Sequence, residues 1–124
     1  MGLKFYRCKH CKNIIVKVKD SNVNVFCCGE EMTELKAGTT DASQEKHVPV
    51  YTVKGNVVDV VVGGVFHPMQ EEHLIEFIVL ETNKGWQIKH LTSNDEPKAS
   101  FLLLDGEEVV SVYEYCNLHG LWKA

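Results

Sequence analysis

Leu74-Ile75-Glu76-Phe77-Ile78-Val79-Leu80-Glu81 is a nearly unbroken apolar run. It reads as a strand at the centre of a sheet. Working outward, runs rich in Val, Ile and aromatic residues recur at Val48–Val53, Val57–Val62, Trp86–Leu91, Ser100–Leu104 and Val109–Tyr115. Turn signals separate them: Gly55-Asn56, Gly63-Gly64, Asn83-Lys84-Gly85, Asp95-Glu96-Pro97 and Asp105-Gly106. Strands spaced by roughly ten residues predict a β-sandwich or barrel over 45–124. No segment sustains a 3.6-residue apolar period for three turns, so no long helix is expected.

Residues 1–36 form a second, smaller unit. Lys4–Arg7, Ile14–Lys19 and Val23–Phe26 are its strand candidates, and Lys19-Asp20-Ser21-Asn22 supplies turn chemistry. A unit this short cannot bury enough apolar surface to fold alone and needs a metal, disulfides or a partner. Its four cysteines are the expected core. The small polar residues 37–44 read as the linker, so the fold class is all-β with a metal-stapled front domain.

Composition narrows the function. The chain has 124 residues, with 13 Lys+Arg against 17 Asp+Glu and a formal charge of −4, which argues against a nucleic-acid partner. No apolar run reaches the roughly 18 residues that a membrane helix needs. Met1 to Cys8 lacks the apolar stretch of a signal peptide, so a cytoplasmic protein with reduced thiols is expected.

Five cysteines are an odd number, so a closed disulfide framework would leave one over. Cys8-Lys9-His10-Cys11 is a C-x2-C, followed by the adjacent pair Cys27-Cys28. Four thiolates in one small unit can close a tetrahedral site for zinc or iron. Adjacent cysteines start on opposite sides of an extended backbone. Both reach one ion only if the chain turns locally, which Gly29 permits. His10, inside the C-x2-C loop, is expected at the surface, because four sulfurs fill the site. Spacing alone leaves structural zinc open as an alternative.

A second group is spread over the larger unit: His47, then His67 and His73, then Cys116 and His119. His67 and His73 flank a short connection before the central strand. Cys116 and His119 sit just past the last predicted strand. Loops at one end of a sandwich can gather such residues. Four imidazoles and one thiolate would hold a transition metal in a square pyramid and leave a sixth position open. Structural zinc prefers four ligands, whereas imidazole with one thiolate suits iron or copper. An open position implies chemistry on a small molecule.

With C-x2-C…C-C at the front, E-K-H-V-P at 45–49, H-P-M at 67–69, His73, and C-N-L-H-G-L-W at 116–122, the whole chain resembles the desulfoferrodoxins, two-centre superoxide reductases. The resemblance implies a rubredoxin-like ferric centre at Cys8, Cys11, Cys27 and Cys28 in a desulforedoxin-like domain over 1–36. It implies a catalytic iron at His47, His67, His73, Cys116 and His119 in an immunoglobulin-like β-sandwich over 45–124. It also implies a homodimer that reduces superoxide to hydrogen peroxide, re-reduced by a donor such as rubredoxin. His90 matches no ligand of that family and is expected to be structural or at the surface.

Two further residues carry expected roles. Lys46 sits beside ligand His47 and would attract an anion to a protein of negative net charge. The resemblance implies that Glu45 takes the open position of the oxidised site. The alternatives are a two-iron electron carrier without a substrate and a zinc-stapled binding module.

Overall fold

The structure is a computed structural model that describes residues 2–38, 44–64 and 67–124, with the side chains of Gln44 and Glu45 outside the description. The chain divides into two compact units, Met1–Lys36 and Ala37–Ala124.

In the first unit, β1 (Phe5–Arg7) lies between β2 (Ile14–Val16) and β5 (Thr33–Leu35), antiparallel to both. A separate hairpin joins β3 (Phe26–Cys27) to β4 (Glu30–Glu31). Among the unit's described residues only Phe5, Cys8 and Met32 are buried hydrophobics. So small a core cannot offset the entropy of ordering the chain, which leaves metal ligation to hold the unit. Asp20 closes the turn after β2: its carboxylate accepts from the Asn22 amide (2.9 Å) and from Lys17 Nζ (3.0 Å).

Two strand expectations here need correction. Ile14–Lys19 ends at Val16, because β1 offers only three partners and Val18 is 91% exposed. Val23–Phe26 shifts to Phe26–Cys27, since the pairing is fixed by the turn at Cys28-Gly29 and not by the Val residues.

The second unit opens with a four-residue helix, α1 (Gln44–His47). Its strands are β6 (Pro49–Lys54), β7 (Val57–Val62), β8 (Ile75–Thr82), β9 (Gly85–His90), β10 (Lys98–Leu102), β11 (Val109–Cys116) and β12 (Gly120–Lys123). They form two antiparallel sheets, ordered β10-β7-β6 and β12-β11-β8-β9. The all-β, immunoglobulin-like sandwich is therefore present. Strand β8 is interior, as its apolar run predicts, and β6 and β9 are edges. Of the linker expected at 37–44, residues 39–43 lie outside the description, and the Gly38 amide bonds the Leu121 carbonyl at 2.8 Å.

Val58, Val60 and Val62, alternate residues of β7, meet Ile75, Ile78 and Leu80 of β8 and Val112 and Cys116 of β11 in one core. Fully burying each such side chain contributes about 1.5–3 kcal/mol. This core is the platform from which the loops carry the second ligand group. The missed element is β12. Cys116 pairs with Gly120, so Asn117-Leu118-His119 is a hairpin loop and not a tail beyond the last strand. Among the described residues, no helix is long and apolar enough to cross a membrane.

Candidate metal centres

Cys28 and Gly29 are the two central residues of the β3–β4 hairpin, and their φ angles are 53° and 75°. Left-handed φ at both positions is what the tightest hairpin turn demands. Here it also turns two consecutive thiols toward one point. Cys8, Cys11, Cys27 and Cys28 gather with their sulfurs within 4.8 Å of one another.

Cys11 Sγ and Cys27 Sγ stand 3.6 Å apart. Tetrahedral ligation at about 2.3 Å per sulfur places neighbouring sulfurs roughly 3.8 Å apart, so the pair suits a four-sulfur site. The Cys11 amide donates to Cys8 Sγ at 3.5 Å and Asn13 Nδ2 donates to Cys27 Sγ at 3.8 Å. Amide donation holds the Cys8 thiol down at about 6. The hydrogen bond with Cys11 and the other thiols push Cys28 up to about 12. Cys8 ionises readily while Cys27 and Cys28 resist ionisation, so a cation is needed to hold these sulfurs together as thiolates. His10 is exposed, as expected, and lies 2.9 Å from Glu30.

The second group is built from four places in the sandwich. His47 ends α1 just before β6 and is 2% exposed. His67 lies on the β7–β8 connection. His73 closes a tight turn in which Gln70 and His73 exchange both backbone hydrogen bonds, at 2.9 and 3.0 Å. Cys116 and His119 bracket the β11–β12 loop. A register shift between Tyr115 and Cys116 marks a bulge where β11 meets the site, a place where bulges re-aim side chains.

The four rings form a closed square. Neighbouring centroids are 4.7 Å (His47–His67), 4.7 Å (His67–His73), 5.0 Å (His73–His119) and 4.8 Å (His119–His47), each pair edge to face. His47 Nε2 is 3.1 Å from His67 Nε2 and 3.0 Å from His119 Nδ1. Two nitrogens each about 2.1 Å from a metal lie roughly 3.0 Å apart at a right angle and roughly 3.4 Å apart in a tetrahedron. The spacing is that of adjacent corners of a square.

The donors are prepared for a metal. The His67 Nδ1–H donates to the Pro68 carbonyl at 2.7 Å, which leaves the Nε2 lone pair free to ligate. Burial pushes His67 down to about 4 and lowers His73, so both rings are neutral at pH 7. His73 Nε2 is buried without a hydrogen-bond partner, an orphan that a metal would satisfy. Cys116 Sγ is 3.8 Å from His119 Nδ1. Burial raises its thiol, with the Leu118 and His119 amides opposing. Five donors of this kind exceed the four that structural zinc takes and fit iron, with one octahedral position left over.

Lys46 is exposed at the end of α1, and its positive charge is one of the influences lowering the His73 proton affinity. Glu45 lies in α1, with its side chain outside the described residues. His90 is exposed on β9, edge-on to Phe77 at 6.4 Å, and belongs to neither donor group. Two supporting residues escaped the sequence reading. Asn117 accepts from the Leu74 amide (3.0 Å) and donates to the Glu72 carbonyl (3.1 Å), gripping the backbone on both sides of His73. Trp122 stacks on His47. Their signal was position, an amide and an indole inside a ligand-bearing hairpin.

The family model described as Desulfoferrodoxin matches residues 39–124. Over 121 residues the chain is 44% identical to a desulfoferrodoxin of Nitratidesulfovibrio vulgaris, covering 98% of this chain and 94% of the relative. Over 122 residues it is 42% identical to that of Syntrophotalea carbinolica, covering 98% and 95%. The crystal structure of the superoxide reductase from Treponema pallidum aligns with a TM-score of 0.84 at 35% identity, over 99% of this chain and 97% of that one. The one-iron superoxide reductase of Giardia intestinalis aligns at 0.56 and 36% identity, over 64% and 95%.

Proposed function

The chain belongs to the desulfoferrodoxin family, and from that premise we propose that it is a superoxide reductase. The observation that carries the proposal is the square of four imidazoles with one buried thiol beside it. The reaction takes superoxide, one electron and two protons to hydrogen peroxide. Iron(II), when bound by His47, His67, His73, His119 and Cys116, supplies the electron. A rubredoxin-like donor restores it.

The chain's own residues shape the encounter. Superoxide is an anion and the protein carries a net charge of −4, so its general field opposes approach. Lys46 offsets that field locally, from an exposed position whose charge reaches His73. Glu45, the residue before Lys46, would be the ligand for the remaining position of the oxidised iron. Protons come from solvent, which His73 and His119 meet because they are only partly buried. A homodimer working in the reducing cytoplasm completes the reading.

The test is to mix the reduced, iron-loaded protein with superoxide and analyse the products. Peroxide without dioxygen is the expected result, and dioxygen evolution would contradict it. The other reading, a two-iron electron carrier, gives no rapid reaction with superoxide. It also gives no spectral change with azide or cyanide, because a carrier has no use for an open position.

A further inference from the structure

Each imidazole of the second centre has a visible device for holding it, and the devices differ. The Pro68 carbonyl orients His67. The Gln70 turn and Asn117 hold His73. His47 and His119 share a single element, Trp122. Its ring stacks on His47 with centroids 5.1 Å apart and planes 24° apart. Its indole N–H donates to the His119 carbonyl at 3.0 Å. Trp122 is only 2% exposed, yet it is not among the residues of the sandwich core. It is buried against the site.

We propose that Trp122 is a positioning residue for the second centre, holding His47 by its face and His119 by its N–H so that these two donors keep their right-angle spacing. That spacing is the 3.0 Å between His47 Nε2 and His119 Nδ1. The chain's design makes such a brace necessary. His47 ends a helix of four residues, too short to hold its own shape, while His119 ends a three-residue loop. These ligands come from opposite ends of the second unit, and free rotation of either ring would break the square. Register places Trp122, on the edge strand β12, opposite Glu114 of the interior strand β11, so the brace is tied to the sheet through that pairing. An indole supplies both a broad face and a fixed donor, a pairing that phenylalanine and leucine lack.

The proposal rests on reading the five residues as an iron site, and its test is therefore metal retention, with superoxide reduction measured separately. Trp122→Phe keeps a ring against His47 and loses the donor. Trp122→Leu loses both. Iron release from the intact, iron-loaded chain to a chelator is followed at the absorption of each centre. The expected result is release from the second centre about fivefold faster for Trp122→Phe, the size of one lost hydrogen bond. For Trp122→Leu it is about ten- to a hundredfold faster, as for other residues that orient ligands. The four-cysteine centre, in a separate unit, should release iron at the wild-type rate, which distinguishes a local loosening from general unfolding. The thiolate absorption band of the second centre should shift in the same order. Equal release from wild type and Trp122→Leu would overturn the proposal, as would equal release from the two variants. If Trp122→Leu does not fold, Trp122→Phe decides, and unchanged release with an unchanged band refutes the brace. Normal retention with no superoxide reduction in wild type would instead count against the proposed function.

Discussion

Glu114 gives the most quantitative prediction. It lies in the middle of β11, fully buried, and neither carboxylate oxygen has a hydrogen-bond partner. Burial pushes its carboxyl from 4.5 up to about 9. Between these values the folded chain keeps the proton and the unfolded chain releases it. The unfolded state then binds fewer protons, so unfolding free energy falls as pH rises, by about 1.4 kcal/mol per unit. From 4.5 to pH 7 that amounts to about 3 kcal/mol. Glu114→Gln is uncharged at every pH and loses this slope. The metal-free variant should be about 3 kcal/mol more stable than wild type at pH 7, with the two converging below pH 4.5. Urea titration followed by tryptophan fluorescence reads this directly, because Trp86 and Trp122 both lie in the second unit. Burial also holds His67 at about 4, so wild type and variant alike lose stability as pH falls from 6.5 toward 4. Parallel stability curves for the two proteins between pH 5 and 8 would refute the reasoning, as would a less stable Glu114→Gln at pH 8.

Cys28→Ser should bleach or alter the visible band of the four-cysteine centre while superoxide reduction persists, because no ligand of the second site lies in residues 1–36; loss of activity with iron retained in the second site would contradict this. Lys46→Ala should slow the encounter with superoxide about tenfold and flatten its salt dependence, measured by pulse radiolysis. A unit charge about 6 Å away at an effective dielectric near 20 is worth up to about 3 kcal/mol, and exposure and screening reduce that. Lys46→Arg should keep most of the rate, and equal salt slopes for wild type and Lys46→Ala would return Lys46 to an ordinary surface role. Asn117→Ala leaves the Leu74 amide and Glu72 carbonyl without their side-chain partner, and should lower the melting temperature of the second unit through a loss of about 1–3 kcal/mol. An unchanged melting temperature would show that the backbone bond from Asn117 to Leu74 suffices.

The strands of the sandwich were legible because burial imposes an alternation, as in Val57–Val62, or a continuous apolar run, as in β8. The ligand groups were legible because cysteine and histidine carry the chemistry themselves. What escaped was geometry held by other means. The β3–β4 hairpin of the first unit owes its register to a left-handed turn at Cys28-Gly29, and no hydrophobic pattern encodes that. Strand β12 is four residues long and begins at Gly120, so it reads as a tail until its pairing with β11 is seen. Asn117 and Trp122 act through backbone groups and ring faces of residues distant in sequence. Their roles emerge only when His73 and His47 arrive beside them.

The central claim is that one chain holds iron in two ligand fields, a tetrahedron of sulfurs and a square of nitrogens with a single sulfur. X-ray absorption at the iron edge, combined with metal analysis, tests it most directly. Wild type should contain two irons per chain, matching the two donor groups. Cys28→Ser should leave a second-site spectrum of nitrogen neighbours near 2.1 Å with one sulfur, and Cys116→Ser should leave one dominated by sulfur near 2.3 Å. A single iron per chain, or a four-coordinate second site lacking sulfur, would contradict the account.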